Sequence, residues 1–307
     1  MPLDFRPSAS KANLEARGQT LALVREFFAN RQVLEVQTPL LGSATVTDPA
    51  VNALVVYSPS AADELQGYLQ TSTEYHQKRL LAAGIGDNYT LGPVFRADEQ
   101  GRLHSSEFTM LEWYRLGFDD HALMAELCEL VDLLLGPASY QSHTYAALLA
   151  QAPEHQLESS DSSGLDTSAV TARDLEDLRL ALAIESLGAG RHFVVDYPKT
   201  SAVLARVDDR DPSIARRFEL VIDGIEVANG YFELTDATIH RTRFADDNAE
   251  RAARGLPQIA VDQAFMASVD AGLPACAGVA VGVDRLLMLK LGVESIDEVQ
   301  SFGGSRR

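Results

Sequence analysis

A chain of 307 residues, 46% hydrophobic and 23% charged, has enough apolar material for one large core and is not a disordered polymer. Its 44 acidic residues outweigh 26 basic ones for a formal net charge of −18. That balance disfavours bulk affinity for nucleic acid and suits small amines or a basic protein partner better.

The first twelve residues read as an arm, and residues 13–307 as one domain. Leu14, Leu21, Val24 and Phe28 recur at near-helical spacing, which predicts a helix over Asn13–Asn30 with Asn13 as N-cap. Val33–Pro39 reads as a short strand stopped by proline. A helix is expected over Thr73–Ala83, ending at Gly84. Asn88–Arg96 and Glu107–Arg115 read as an antiparallel pair joined by the polar loop Ala97–Ser106. A helix over His121–Leu135 follows. Residues 136–190 read as a loop-rich insertion around the polar run Gln156–Gly164, with a helix at Asp174–Leu187. Strand signals return at His192–Tyr197, Arg217–Asp223 and Ile225–Leu234, the last two turning at Asp223-Gly224. Arg241–Arg254 reads as a charged helix, and Gly278–Arg285 as a small-residue strand running into the helix Leu286–Leu291. Hairpins of strands with helices around them predict an α+β fold on an antiparallel sheet.

Three clusters carry possible chemistry. Phe95-Arg96-Ala97-Asp98-Glu99 puts an arginine fork at a strand end, suited to phosphate, although taken alone it reads more simply as a solvated hairpin loop. Glu219 and Glu226, with Asn229 and Glu233 beyond, can converge from two arms of a hairpin on a hard cation. A regular strand points Glu226 and Glu233 to opposite faces, so convergence requires a bulge. Gly278-Val-Ala-Val-Gly-Val-Asp-Arg285 allows close approach of a ligand, with Arg285 at a helix mouth, or simple packing with Arg285 paired to Asp284 or another acid. Glu112, in the apolar stretch Leu111–Tyr114, calls for a cationic partner and gives the first hint of an amine substrate. No GxxxxGK[ST] or GxGxxG motif occurs. Cys128 and Cys276 form neither a zinc pattern nor a disulfide framework. The N-terminus lacks a signal peptide's layout, so a cytoplasmic protein is expected.

Taken in order, Val33–Pro39, Val94–Arg115 and Gly278–Arg285 resemble the three motifs of class II aminoacyl-tRNA synthetases. Ser105–Tyr114 and Ile225–Asp236 are similar to the lysyl-tRNA synthetases in particular, and the resemblance covers Asn13–Leu135 and His192–Phe302. It is closer still to the stand-alone lysyl synthetase paralogues that modify elongation factor P. The chain begins almost at motif 1, so no anticodon-binding barrel is expected. Ser72 stands where lysyl synthetases usually carry alanine, and Ala280 where they carry glycine.

The resemblance implies an ATP-dependent, magnesium-using ligase that forms an aminoacyl-adenylate. It implies (R)-β-lysine as substrate, elongation factor P rather than tRNA as acceptor, and a homodimer built on the Asn13–Asn30 helix and the Val33–Pro39 strand. Arg96, Arg285 and Glu226 would be catalytic. Arg96 would meet the α-phosphate, Arg285 the γ-phosphate and adenine, and Phe108 would stack on adenine. Ala97, Asp98, Ser105, Val227 and Gly282 would complete the ATP site, and Glu219 with Glu226 would hold magnesium. Ser72, Thr73, Glu74, Tyr114, Asn229, Glu233 and Ala280 would line the amino-acid pocket, with Glu112 and Glu233 facing the distal amine. Asp98, Ser105, Ser106 and Thr73 depart from the family's glutamate, asparagine, proline and proline. Alternatives are action on α-lysine, another acceptor, or a non-catalytic regulatory paralogue.

Overall fold

The computed structural model describes residues 5–61, 64–152 and 172–304. Helix α1 (Lys11–Ala29) begins two residues before the expected cap. Ser10, not Asn13, is the N-cap, and its hydroxyl accepts from the Asn13 N–H at 3.1 Å. Just ahead of it, the Ser8 N–H donates to the Ser301 carbonyl at 2.8 Å and Ala9 is buried, so this stretch is pinned to the C-terminal segment.

The expected motif 1 strand shrinks to β1 (Leu34–Glu35), which pairs parallel with β5 (Asn88–Phe95). Between them β2 (Leu41–Gly42), β3 (Val55–Tyr57) and β4 (Leu65–Leu69) form a small separate sheet that the sequence did not suggest. Helix α2 (Glu74–Ala82) follows, ended by Gly84 at φ +80°. β5 then pairs antiparallel with β6 (Glu107–Leu116).

After α3 (Asp120–Leu135), the region read as a loop-rich insertion contains β7 (Tyr140–Thr144), α4 (Tyr145–Gln151) and α5 (Ala172–Ser186). The polar run Gln156–Gly164 lies outside the described residues. β8 (Arg191–Pro198), β9 (Ile214–Ile222) and β10 (Ile225–Phe232) form an antiparallel meander. Asp223 at φ +49° and Gly224 at φ +76° make the tight turn between β9 and β10, as their sequence predicts. Helix α6 (Ala237–Ala253) starts four residues before Arg241, because Asp236 caps it through Thr238 and Ile239. The unforeseen α7 (Gln263–Gly272) leads to β11 (Cys276–Gly282) and α8 (Val283–Leu291).

Among the described residues the main sheet has eight strands in the order β1-β5-β6-β11-β10-β9-β8-β7, antiparallel except for the parallel pairs at its two edges. The fold is α+β, as expected. One sheet face carries Leu111, Trp113, Val279, Val281, Phe218 and Leu220 into a core closed by α1, α3 and α8. Each such side chain stabilises by about 1.5–3 kcal/mol. The other face is left for the site. Among the described residues no helix is long and apolar enough to cross a membrane.

Candidate active site

Strand alternation builds the site directly. Across the central strands Glu112 lies opposite Ala280, Ala280 opposite Asn229, and Asn229 opposite Glu219. The next row is Tyr114, Gly278, Tyr231 and Arg217. All eight line one cleft of about 1520 Å³. The pairing of β10 with β9 shifts between Glu226 and Ala228. This bulge reverses the strand's parity and brings Glu226 onto the face of Asn229 and Tyr231.

The deep end of the cleft is acidic. Glu112 is buried, yet among the described residues no cation partners it. Its Oε2 accepts from the Ser72 hydroxyl at 2.8 Å and from the Thr73 N–H and hydroxyl at 3.1 Å, and its Oε1 accepts from Tyr114 at 2.7 Å. Burial pushes its carboxyl upward, and the charge of Glu74 adds to this. Thr73 is occupied as this inner support and does not line the cleft, whereas Ser72, Glu74, Glu112, Tyr114 and Ala280 do. The Ser72 hydroxyl also accepts from the Glu74 N–H at 3.0 Å.

Glu233 was expected beside the distal amine. Its side chain is instead fully buried behind the cleft wall, 2.5 Å from the Lys78 ammonium. Lys78 is also fully buried and pairs with Glu74 at 2.5 Å. The ammonium stays firmly charged between these acids despite its burial. Glu233 is nevertheless pushed up, first by burial and then by the nearby charge of Glu74, because one ammonium serves several carboxylates. Gly278 is required here: a Cβ would lie 2.2 Å from a Tyr114 ring carbon and 2.5 Å from Glu233 Oε1.

The open end carries the arginines. Arg96 touches Glu99 at 3.4 Å and lies 5.3 Å over the Phe108 ring, while its buried Nε has no hydrogen-bond partner among the described residues. A guanidinium beside an aromatic ring on the wall of the cleft suits an anion and an adenine. Arg285 is held by the Leu103 carbonyl at 3.2 Å, the Glu226 carbonyl at 2.8 Å and His104 Nε2 at 2.8 Å. It does not pair with Asp284, which is buried and bound by Arg17 of α1 and the Thr109 N–H. Gly282 caps α8 without a side chain, and Ser105, Phe108, Val227 and Gly282 line the cleft. Asp98 and Ala97 do not. Asp98 is exposed in a left-handed turn at φ +62°, and the loop's cleft-lining acid is Glu99.

Glu226 is half-exposed to the cleft, and its carboxyl is pushed up to about 7 by desolvation and then by the charge of Glu219. Arg217 donates to Glu219 at 2.5 Å and to Asn229 Oδ1 at 3.3 Å, which leaves the Asn229 NH2 as the end available to a ligand. Among the described residues no group of three or more His, Cys, Asp or Glu is arranged to hold a metal. Two mutually repelling carboxylates still suit magnesium, which takes one or two carboxylates and completes its shell with phosphate and water.

Sequence reasoning missed Arg217, Lys78 and the Arg17–Asp284 pair. Arg217 shares strand parity with Glu219, and Lys78 stands four residues after Glu74, so both carried a readable signal. Arg17 carried none, because its partner lies 267 positions away.

A cleft with an acidic pocket at one end and an arginine-flanked aromatic shelf at the other, on an antiparallel sheet, defines an adenylate-forming synthetase core. Residues 2–306 match the class II tRNA synthetases (D, K and N), and the chain belongs to that family. Among its curated relatives are the elongation factor P–(R)-β-lysine ligases of Proteus mirabilis and Vibrio cholerae. They are 42% and 43% identical to it, each over 97% of both chains. The protein of that name from Klebsiella pneumoniae is 42% identical, again over 97% of both chains.

Proposed function

We propose that this chain is an ATP-dependent ligase that activates (R)-β-lysine as an adenylate and transfers it to a lysine ε-amine of elongation factor P. The observation that carries this reading is the placement of Glu74, Glu112 and Tyr114 at one end of a single cleft and Arg96 with Arg285 at the other. The near full-length relatedness to ligases of that name supports it. Residues 13–307 act in this reading as one catalytic domain. Two free cysteines fit a reducing, cytoplasmic setting.

In the first step a carboxylate oxygen of the amino acid attacks the ATP α-phosphorus and the bond to pyrophosphate breaks. Arg96 meets the charge growing on the α-phosphoryl oxygens. Arg285, locked by two carbonyls and His104, is preorganised for the departing phosphates. Phe108 carries the adenine. Glu219 and Glu226 would hold magnesium, which supplies charge neutralisation between the phosphates. The acidic end orients the substrate's ammonium groups and so aims its carboxylate. In the second step the acceptor's amine attacks the adenylate carbonyl, an amide forms, and AMP and a proton leave.

Ala280, opposite both Glu112 and Asn229, adds a methyl to the pocket floor and favours an amine displaced from the α position. Ser72 contributes less directly, since its hydroxyl is committed to Glu112. A homodimer through α1 and the β1 region is supported by the exposed Leu34, Leu40 and Leu41.

The test is pyrophosphate exchange into ATP followed by mass spectrometry of the acceptor. Strong exchange with (R)-β-lysine, much weaker exchange with α-lysine, and addition of one lysyl mass to elongation factor P with tRNA left uncharged are expected. Equal exchange with both amino acids would sink the substrate assignment. Charged tRNA beside unmodified elongation factor P would sink the acceptor.

A further inference from the structure

The mechanism above leaves Arg217 of β9 unused, although several walls of the cleft meet at its guanidinium. The side chain is mostly buried, and each of its nitrogens donates to a different partner. Nη2 meets Glu219 of its own strand at 2.5 Å, Nε meets Asn229 Oδ1 of β10 at 3.3 Å, and Nη1 meets the Ser201 carbonyl at 2.8 Å. The guanidinium also lies 4.3 Å over the Tyr197 ring and 6.0 Å from the Tyr231 ring centre. Arg217 thus turns its donors to the protein and not to a ligand.

Asn229 and Glu219 stand directly opposite each other across the β9–β10 pair. Opposed side chains start about 4.5–5.5 Å apart, close enough for an amide to donate its NH2 to a carboxylate. Left to themselves these two bond to each other, and Asn229 turns its carbonyl to the cleft. Arg217 prevents this by occupying an acceptor of each. A guanidinium has donors only, so the Asn229 atom facing it is the carbonyl oxygen, which fixes the way the amide points. The NH2 is left for the cleft that Asn229 lines.

We propose that Arg217 is a positioning residue: it holds the Asn229 amide with its NH2 outward, so that this point of the cleft recognises a ligand oxygen. The proposal rests on reading the cleft as an amino-acid site, where that oxygen belongs to the substrate's carboxylate. An amide turned to Glu219 shows the ligand a carbonyl oxygen instead, which repels a carboxylate.

Arg217→Met removes both restraints and keeps an unbranched side chain. In pyrophosphate exchange at saturating ATP and magnesium it should raise the KM for (R)-β-lysine about tenfold or more, because a charge-assisted bond to Glu219 holds most of the amide the wrong way round. In an Asn229→Ala background there is no amide to misdirect, and Arg217→Met should then change the same KM by about twofold or less. An arginine that is merely structural, or that acts only through Glu219, gives the same factor in both backgrounds, and that result overturns the proposal. An unchanged KM in the single variant does so too.

A second measurement needs neither substrate nor an arginine variant. In ligand-free protein the Arg217 Nε–H, assigned by its cross-peaks to the Tyr197 ring, should exchange slowly with solvent in wild type and about tenfold faster in Asn229→Ala. If Arg217→Met does not fold, this comparison decides alone. An Nε–H equally protected in both proteins overturns the proposal. If its exchange quickens while wild-type protein activates no amino acid, the positioning of Asn229 stands and the substrate reading falls.

Discussion

Glu112→Gln should move stability and substrate binding in opposite directions. With its carbonyl at the Oε2 position, a glutamine keeps the bonds from the Ser72 hydroxyl and from the Thr73 N–H and hydroxyl. Its NH2 then donates to Tyr114, whose hydroxyl turns from donor to acceptor. The fold therefore loses a charge and no hydrogen bond. Burial raises the folded carboxyl above its unfolded value, so the stability linked to it is full below the unfolded value and lost as pH rises through the folded one. At pH 7.5 the carboxylate is thus a net cost that the amide removes. Calorimetry should give a Tm equal to or above wild type, with the difference shrinking as pH falls toward 4.5. A substrate ammonium loses a charge-assisted contact worth about 1.5–3 kcal/mol, so its KM should rise about 10- to 150-fold in pyrophosphate exchange. A lower Tm at pH 7.5, or an unchanged KM, would refute the reasoning.

Gly278→Ala should lower stability by about 1–3 kcal/mol through overpacking, because the new methyl meets Tyr114 and Glu233 at 2.2 and 2.5 Å; chemical denaturation reads this, and a wild-type midpoint would contradict it. Arg96→Ala should cut exchange by about 3–4 kcal/mol of transition-state stabilisation, a factor of hundreds, in a protein whose circular dichroism is unchanged. Wild-type turnover there would move the active site elsewhere. His240 is fully buried, and desolvation, with the charge of Lys78 second, lowers its pKa to about 4. The folded state then binds fewer protons than the unfolded one, so the linked stability is present above about pH 6.5 and lost as pH falls through about 4. The loss amounts to roughly 3 kcal/mol. His240→Asn should flatten this acid limb of the stability profile, and an unaltered limb would assign it to other groups.

Elements whose causes are local were legible in the sequence. The Asp223-Gly224 turn needs two left-handed residues and has them, and the β5–β6 pair follows from its apolar and β-branched content. Elements made by distant partners were not. The small sheet of β2, β3 and β4 has strands of two to five residues, too short for alternation to show. Ser10 outcompetes Asn13 as a cap because the chain before it is tied down at Ser8 by Ser301, a contact no local window contains. The helix expected at Asp174–Leu187 is α5, while β7 and α4, which pack beside β8 at the sheet edge, are too short for their periodicity to show.

In the site, residue types were legible and pairings were not. Period-two alternation places Glu112 with Tyr114 and Gly278 with Ala280 on one face, and the bulge needed to bring Glu226 to that face is present. Alternation is silent about which cation each acid meets. Within the protein Glu112 meets only neutral donors among the described residues, the hydroxyls of Ser72, Thr73 and Tyr114 and the Thr73 N–H. Glu233 was assigned the substrate and has Lys78. Asp98 was assigned the nucleotide and turns outward, leaving Glu99 beside Arg96. In each case spacing along the chain gave a charge its address, while its partner depended on which neighbour arrives from another element at under 3.5 Å. The chemistry of this cleft is therefore set less by how many acids it holds than by which are already answered from within the protein. That difference leaves Glu74 and Glu112 facing the cleft and hides Glu233 behind it.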